Sequence, residues 1–297
     1  MSESKLSGNI STQPSEEEVK KQIVNYYNHM DFFYEHLWAN KHSLGFHYGF
    51  WEAQIKNKHA AIINENRRVA EVLQLTKSDI VLDAGCGVCG SSIWMAENYG
   101  CKATGITLSE QQVKRATEHI KRRKVDHLVK AEVRDYCNTD YPGESFTKIF
   151  GMESVCCAFS KDAFVKEAFR VLKPGGRLVV ADGFLLTHEM SPDKQRIVDE
   201  FCQGWGLPNC VTEEEFKQYL LKAGFINVKI TDMTNAVLPS ARSIWRLNVP
   251  FYLPFKALCA LKILPPVYIE DTVSSIRQYE MFDKKIGSYL VFSAEKP

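Results

Sequence analysis

The sequence predicts an α/β fold: a doubly wound, mostly parallel sheet of seven strands with added helical cap segments. Three observations predict it. Short apolar runs alternate with amphipathic stretches from about residue 58 onward. A glycine-rich turn follows the first of these runs and opens a helix. No linker-like stretch splits the 297 residues, and a chain of this length buries roughly three quarters of its unfolded surface in one core.

Taken in order, residues 1–15 are polar and are expected to form a disordered tail. Glu16 to about Asn40 is expected to be a helix unusually rich in aromatics, with Tyr26, Tyr27, Phe32, Phe33, Tyr34 and Trp38. Phe46, His47, Tyr48, Phe50 and Trp51 form a second aromatic cluster, so 16–57 is expected to cap a core of about 58–297. Ile62, Val69, Val72 and Leu73 recur at helical spacing within Lys58–Leu75. Ile80–Leu82 is a first strand, and the turn Gly85-Cys86-Gly87-Val88-Cys89-Gly90 leads into a helix to about Tyr99. Lys102–Thr107 is a second strand, and Ser109 caps a helix reaching Lys124. Leu128–Val133 and Phe146–Met152 are the third and fourth strands. A helix over Lys161–Leu172 ends at Lys173-Pro174-Gly175-Gly176, before a fifth strand at Leu178–Ala181. A helix at Glu213–Ala223 and strands at Ile226–Thr231 and Ser288–Ser293 complete the pattern. Stretches of about 184–212 and 235–280 are left as cap insertions.

Composition excludes several classes. Lys plus Arg is 37 and Asp plus Glu is 36, so nothing draws the whole chain to nucleic acid. Nine scattered cysteines suit free thiols in a reducing cytosol. The first residues lack the apolar core of a secretory signal. The longest apolar stretch, Leu247–Ile269, is broken by prolines into pieces too short to span a bilayer. Its two lysines within an apolar run give peripheral membrane contact as an expectation. Composition does not decide the oligomeric state.

The turn at 85–90 carries the chemistry. Its glycines let backbone N–H groups approach a ligand, and the following helix N-terminus favours a negative group. Asp83, at the strand end, opposes a pyrophosphate but suits a cation. S-adenosylmethionine meets both demands: its ammonium and sulfonium are positive, and its carboxylate can take the helix N-terminus. Asp83, Gly85, Cys86, Gly87 and Gly90 are therefore candidate cofactor residues. Cys86 and Cys89 have no second pair or nearby His, so no metal site is expected.

On these residues the chain resembles class I S-adenosylmethionine-dependent methyltransferases over about 79–183, which implies a Rossmann-like sheet. Gly105-Ile106-Thr107-Leu108-Ser109-Glu110-Gln111-Gln112 is similar to a segment of cyclopropane fatty acid synthases and tocopherol C-methyltransferases. The resemblance implies that Thr107 and Gln112 hydrogen-bond the cofactor ribose, and Leu108 is a further candidate cofactor residue. By position Glu132 with Val133 matches the adenine site best, with Asp135 as competitor. Gly151, in the fourth strand, is a further candidate cofactor residue.

Met152-Glu153-Ser154 resembles the acid-bearing run of tocopherol and sterol C-methyltransferases, which makes Glu153 the candidate catalytic base. The Glu-His pair of cyclopropane synthases is absent, which disfavours that reaction. His47-Tyr48-Gly49-Phe50-Trp51 resembles the segment ahead of the tocopherol-type core, so His47 and Tyr48 are candidate substrate contacts; Tyr27 of the aromatic helix and Trp205 of the cap segment are candidates as aromatic residues that can line an apolar pocket. Aromatic faces there would stabilise a cation formed on an alkene. The expected activity is methyl transfer to a small, largely apolar acceptor, favoured at carbon of an isoprenoid-, sterol- or prenylquinol-like molecule. Transfer to oxygen or nitrogen of a small phenol or amine, and non-catalytic cofactor binding, are the alternatives.

Overall fold

In the computed structural model, residues 15–33 and 43–297 are described, with the side chains of 27–33 excepted. Helix α1 (Glu16–Phe33) precedes α2 (Lys58–Leu73), and strand β1 (Ile80–Ala84) leads into α3 (Gly90–Tyr99). Then follow β2 (Lys102–Thr107), α4 (Glu110–Arg122), β3 (Val129–Val133), β4 (Phe146–Met152), α5 (Lys161–Val171) and β5 (Leu172–Leu185). Helices α6 (Pro192–Trp205) and α7 (Glu213–Ala223) lead to β6 (Ile226–Asp232). Helices α8 (Thr234–Asn248), α9 (Tyr252–Ala260) and α10 (Val267–Asp283) precede β7 (Gly287–Glu295). The predicted helix beyond 33, with Tyr34 and Trp38, falls outside the described residues.

The seven strands form one sheet in the order β3-β2-β1-β4-β5-β7-β6. It is parallel except for β7, which runs antiparallel between β5 and β6. Strand alternation builds both faces. Val81, Val179 and Val291 pack on one side with Val69 and Leu73 of α2 and Ile93 of α3. Leu82, Val180 and Phe292 pack on the other with Phe164 of α5 and Phe216 of α7. Ser109 caps α4 as expected, its hydroxyl accepting from Gln112 N at 3.2 Å.

The fifth strand differs from its prediction. Leu172 already pairs with Phe146, and Arg177 with Lys148, so Lys173–Gly176 forms a bulge inside β5. The bulge is held from the other edge: Gly175 N donates to Lys296 O at 2.9 Å and Lys296 N to Gly176 O at 3.0 Å. The glycines signalled a break in the helix, and the partner strand turned that break into part of the ladder.

Candidate active site

The sheet order reverses at β1, whose neighbours are β2 and β4. Ligands of open α/β sheets bind at the carboxyl ends beside such a switch point. Here a cavity of about 380 Å³ opens there, lined from β1, β2 and β4 below and from α1, α6, α8 and α10 above. Its size lies within the range of small-molecule sites.

Asp83 lies in the buried run of β1, one residue before its end, in register with Gly105 of β2 and Phe150 of β4. It is 3% exposed and accepts a bond from Ser92 Oγ at 2.7 Å. Burial pushes its carboxyl up to about 7, against the Ser92 bond and nearby His47. Gly85 holds φ +90°, where a side chain would also run into Ser154. Cys89 precedes α3 in the left-handed region and makes no side-chain cap. The first N–H groups of α3 are therefore left for a ligand, and Gly90 and Ser91 line the cavity. Cys86 and Cys89 pack over Gly105, where a Cβ would lie 2.5 Å from Cys89 Sγ and 2.7 Å from Cys86 Cβ. All nine cysteines are free.

Asp83, Gly85, Cys86, Gly87, Gly90, Thr107, Leu108 and Gln112 all border the cavity. The Thr107 hydroxyl donates to Gln112 Oε1 at 2.6 Å, so the two expected ribose partners sit side by side. An open cavity, uncapped helix amides and a buried carboxylate beside them fit a ligand that is cationic at one end and carries its own carboxylate.

Three expected cofactor residues do not border this cavity: Glu132, Val133 and Gly151. Glu132 stands opposite Ile106 within the ladder. Burial would raise its carboxyl, but Lys130, Tyr141 and Arg134 hold it down at about 2. Its partners lie at 2.6 Å (Lys130), 2.6 Å (Tyr141) and 2.8 Å (Arg134). Val133 is 47% exposed. The last ladder bond, from Arg134 N to Thr107 O, leaves Asp135 as the first acid beyond the strand, and Asp135 borders the cavity. It accepts from Cys137 N at 2.7 Å and pairs with Lys20 of α1 at 2.6 Å. Gly151 serves packing instead, since a Cβ there would lie 2.7 Å from Val155 Cγ2.

Glu153 lies just past β4 and borders the cavity. Its φ of +48° is uncommon for a residue with a side chain. The conformation is fixed by its own N–H, which donates to Ala181 O at 2.9 Å. Tyr48 N donates to Glu153 Oε1 at 2.8 Å, and the Tyr289 hydroxyl stands 3.1 Å from the same oxygen. That hydroxyl lies closer to Glu65 Oε1, at 2.7 Å. Glu65 Oε2 in turn meets His47 Nδ1 at 2.6 Å and accepts from Gly49 N at 2.9 Å. Burial first, and then the charge of Glu65, push the Glu153 carboxyl well above the ordinary carboxylate range. Two carboxylates around one phenol resist ionising together. The ligand-capable atoms of His47, Glu65 and Glu153 lie within 4.8 Å of one another. Their hydrogen bonds to one another's surroundings account for this grouping.

His47, Tyr48 and Trp205 border the cavity as expected, whereas the Tyr27 side chain lies outside the described residues. Tyr48 is anchored through its hydroxyl to Gln278 of α10 at 2.7 Å. Trp205 packs against Phe201, and α1 closes over them through Val19 and Ile23. The Tyr26 hydroxyl donates to Asp271 Oδ1 at 2.6 Å, and burial pushes Asp271 up to about 6. Sequence reasoning missed Glu65, Tyr289 and Asp271, and named Tyr26 only as one aromatic of the cap helix. Only Glu65 carried a signal, as an acid between Ile62 and Val69 on the buried stripe of α2.

The mycolic acid cyclopropane synthetase family matches residues 14–235. The chain is 33% identical over 225 residues to the 2-methyl-6-phytyl-1,4-hydroquinone methyltransferase of Synechocystis sp., covering 71% of this chain and 68% of that protein. It is 27% identical over 301 residues to the chloroplastic tocopherol O-methyltransferase of Arabidopsis thaliana, covering 95% and 84%. Its fold matches geranyl diphosphate C-methyltransferase from Streptomyces coelicolor, solved with Mg2+, geranyl diphosphate and S-adenosyl-L-homocysteine. The TM-score is 0.73 at 18% identity, over 96% of this chain and 100% of that one. The chain belongs to the mycolic acid cyclopropane synthetase family and is a class I S-adenosylmethionine-dependent methyltransferase.

Proposed function

We propose that this methyltransferase acts on carbon of an apolar isoprenoid-, sterol- or prenylquinol-like acceptor. The carrying observation is a carboxylate of raised proton affinity, Glu153, at the edge of a cavity bordered by Tyr48, Phe201, Trp205 and Met281. The named activities of the Synechocystis and Streptomyces relatives support this reading.

S-adenosylmethionine supplies a methyl group on positively charged sulfur. In this reading Asp83 faces its ammonium, the amides opening α3 take its carboxylate, Thr107 and Gln112 hold the ribose diol, and Asp135 serves the adenine. The acceptor's π electrons form the new carbon–carbon bond while the carbon–sulfur pair stays on sulfur. Glu153 then removes a proton from a carbon next to the cationic centre, the one that gained the methyl or the one on the other side, and the freed pair restores the double bond. His47 and Glu65 orient this carboxylate through Tyr289, and the aromatic walls favour the transient cation. Much of the rate arises from holding donor and acceptor in line. A near-neutral chain bearing nine free thiols suits a small-molecule enzyme of a reducing compartment such as the cytosol, with no nucleic-acid substrate.

A second reading, methylation of a phenolic oxygen, is favoured by the likeness to tocopherol O-methyltransferase. Incubation with labelled donor and prenylquinols, sterols, prenyl diphosphates and small phenols, followed by mass spectrometry of the products, separates the two. A label on carbon supports the proposal, and a label confined to oxygen overturns it.

A further inference from the structure

Residues 233–269 contain four positive charges, Arg242, Arg246, Lys256 and Lys262, and no acid, in a chain whose net charge is +1. The same stretch concentrates exposed apolar surface. Among the described residues, six large apolar side chains stand out between 247 and 263: Leu247 (59% exposed), Val249 (41%), Phe251 (47%), Leu253 (70%), Leu261 (69%) and Ile263 (62%). Scattered apolar residues need no explanation, but a contiguous group marks an interaction surface. Helix α9 carries one charge in its nine residues and buries none of them. An apolar helix ordinarily packs inside something.

We propose that this face docks on an anionic phospholipid bilayer and that the acceptor enters the cavity from the lipid. Helix α9 is too short to cross a bilayer, since nine residues rise about 14 Å against a hydrocarbon core of about 30 Å. No described helix is long and apolar enough to cross a membrane. Lying in the interface plane remains, with apolar side chains in the acyl boundary and lysines at the headgroups. Tyr252 and Lys256, with the ammonium 5.7 Å from the ring centre, form the amphipathic pair that interfaces favour. The face continues into the active site, because Leu247 and Asn248 border the cavity. A second copy of the chain fits less well, since a two-fold contact would set basic groups against basic groups. Entry of the acceptor rests on the proposed apolar substrate; docking itself does not.

The full chain is sedimented with phosphatidylcholine vesicles, with and without phosphatidylserine, at low and high salt. Binding is expected to the anionic vesicles and to weaken with salt. Lys256→Gln with Lys262→Gln is expected to weaken it about 25-fold, at about fivefold per basic residue. Leu253→Asp with Leu261→Asp is expected to abolish it, with cofactor retention in dialysis unchanged. Equal sedimentation of wild type and variants, or none at all, overturns the proposal. So does a dimer in light scattering that Leu253→Asp disperses while vesicles are ignored. A prenylquinol offered in vesicles is expected to lose turnover in the Asp variant but keep it in detergent. If no acceptor is methylated in either form, the substrate reading fails while the vesicle result stands by itself.

Discussion

Replacing Asp83 with Asn tests the cofactor loop through proton linkage. Without ligand, burial raises Asp83 from the ordinary 3.8 to about 7. A cationic ligand needs the ionised form, so below about pH 7 binding must expel a proton, and affinity is expected to fall about tenfold per pH unit. The stability sign runs the other way for the free protein. The folded state holds the proton from about pH 4 to 7 while the unfolded chain loses it, so stability falls as pH rises through that window. The rise from 3.8 to about 7 corresponds to about 4 kcal/mol of stability lost across that window. Asp83→Asn is expected to flatten that slope, to weaken binding at pH 8 and to remove the pH dependence of binding. Titration calorimetry with S-adenosylhomocysteine at pH 5.5 to 8, in buffers of different ionisation enthalpy, measures affinity and proton release together. Thermal melts of free wild type and variant measure the slope. Affinity that stays flat across this range in wild type, or wild-type affinity in the Asn variant, refutes the reasoning.

Glu153→Gln is expected to keep cofactor binding and lose about 10²- to 10⁴-fold in turnover, the usual contribution of a positioned base; unchanged single-turnover rates remove Glu153 from the mechanism. Tyr289→Phe deletes the hydroxyl between Glu65 and Glu153 and is expected to cost about 1–3 kcal/mol in denaturant unfolding. The same variant should shift the pH profile of turnover, and an unshifted profile makes the tyrosine purely structural. Asp135→Asn is expected to raise the KM for the cofactor several-fold, and Glu132→Gln to leave it unchanged. The opposite order would return the adenine to Glu132.

The sheet and its cofactor turn were legible because their signals are local. Lys102–Thr107 and Phe146–Met152 are strands with the predicted bounds, since a short apolar run between turn residues has one economical conformation. Asp83 and the glycines of 85–90 announced a cationic ligand through their order alone. The setting of Glu153 was not legible. Its neighbour Tyr289 joins it to Glu65 across 224 residues of chain, and Tyr48 reaches Gln278 across 230. Likewise Glu132 and Asp135 differ by three positions, and only the register of β3 on β2 decides which one meets the cavity. Hydrophobic periodicity and turn chemistry specify elements one at a time, so the sequence by itself determined the strands, the cofactor loop and the identity of the acid at the β4 edge. Packing of distant segments decided which polar groups share a buried site, because burial and hydrogen bonding belong to the assembled chain.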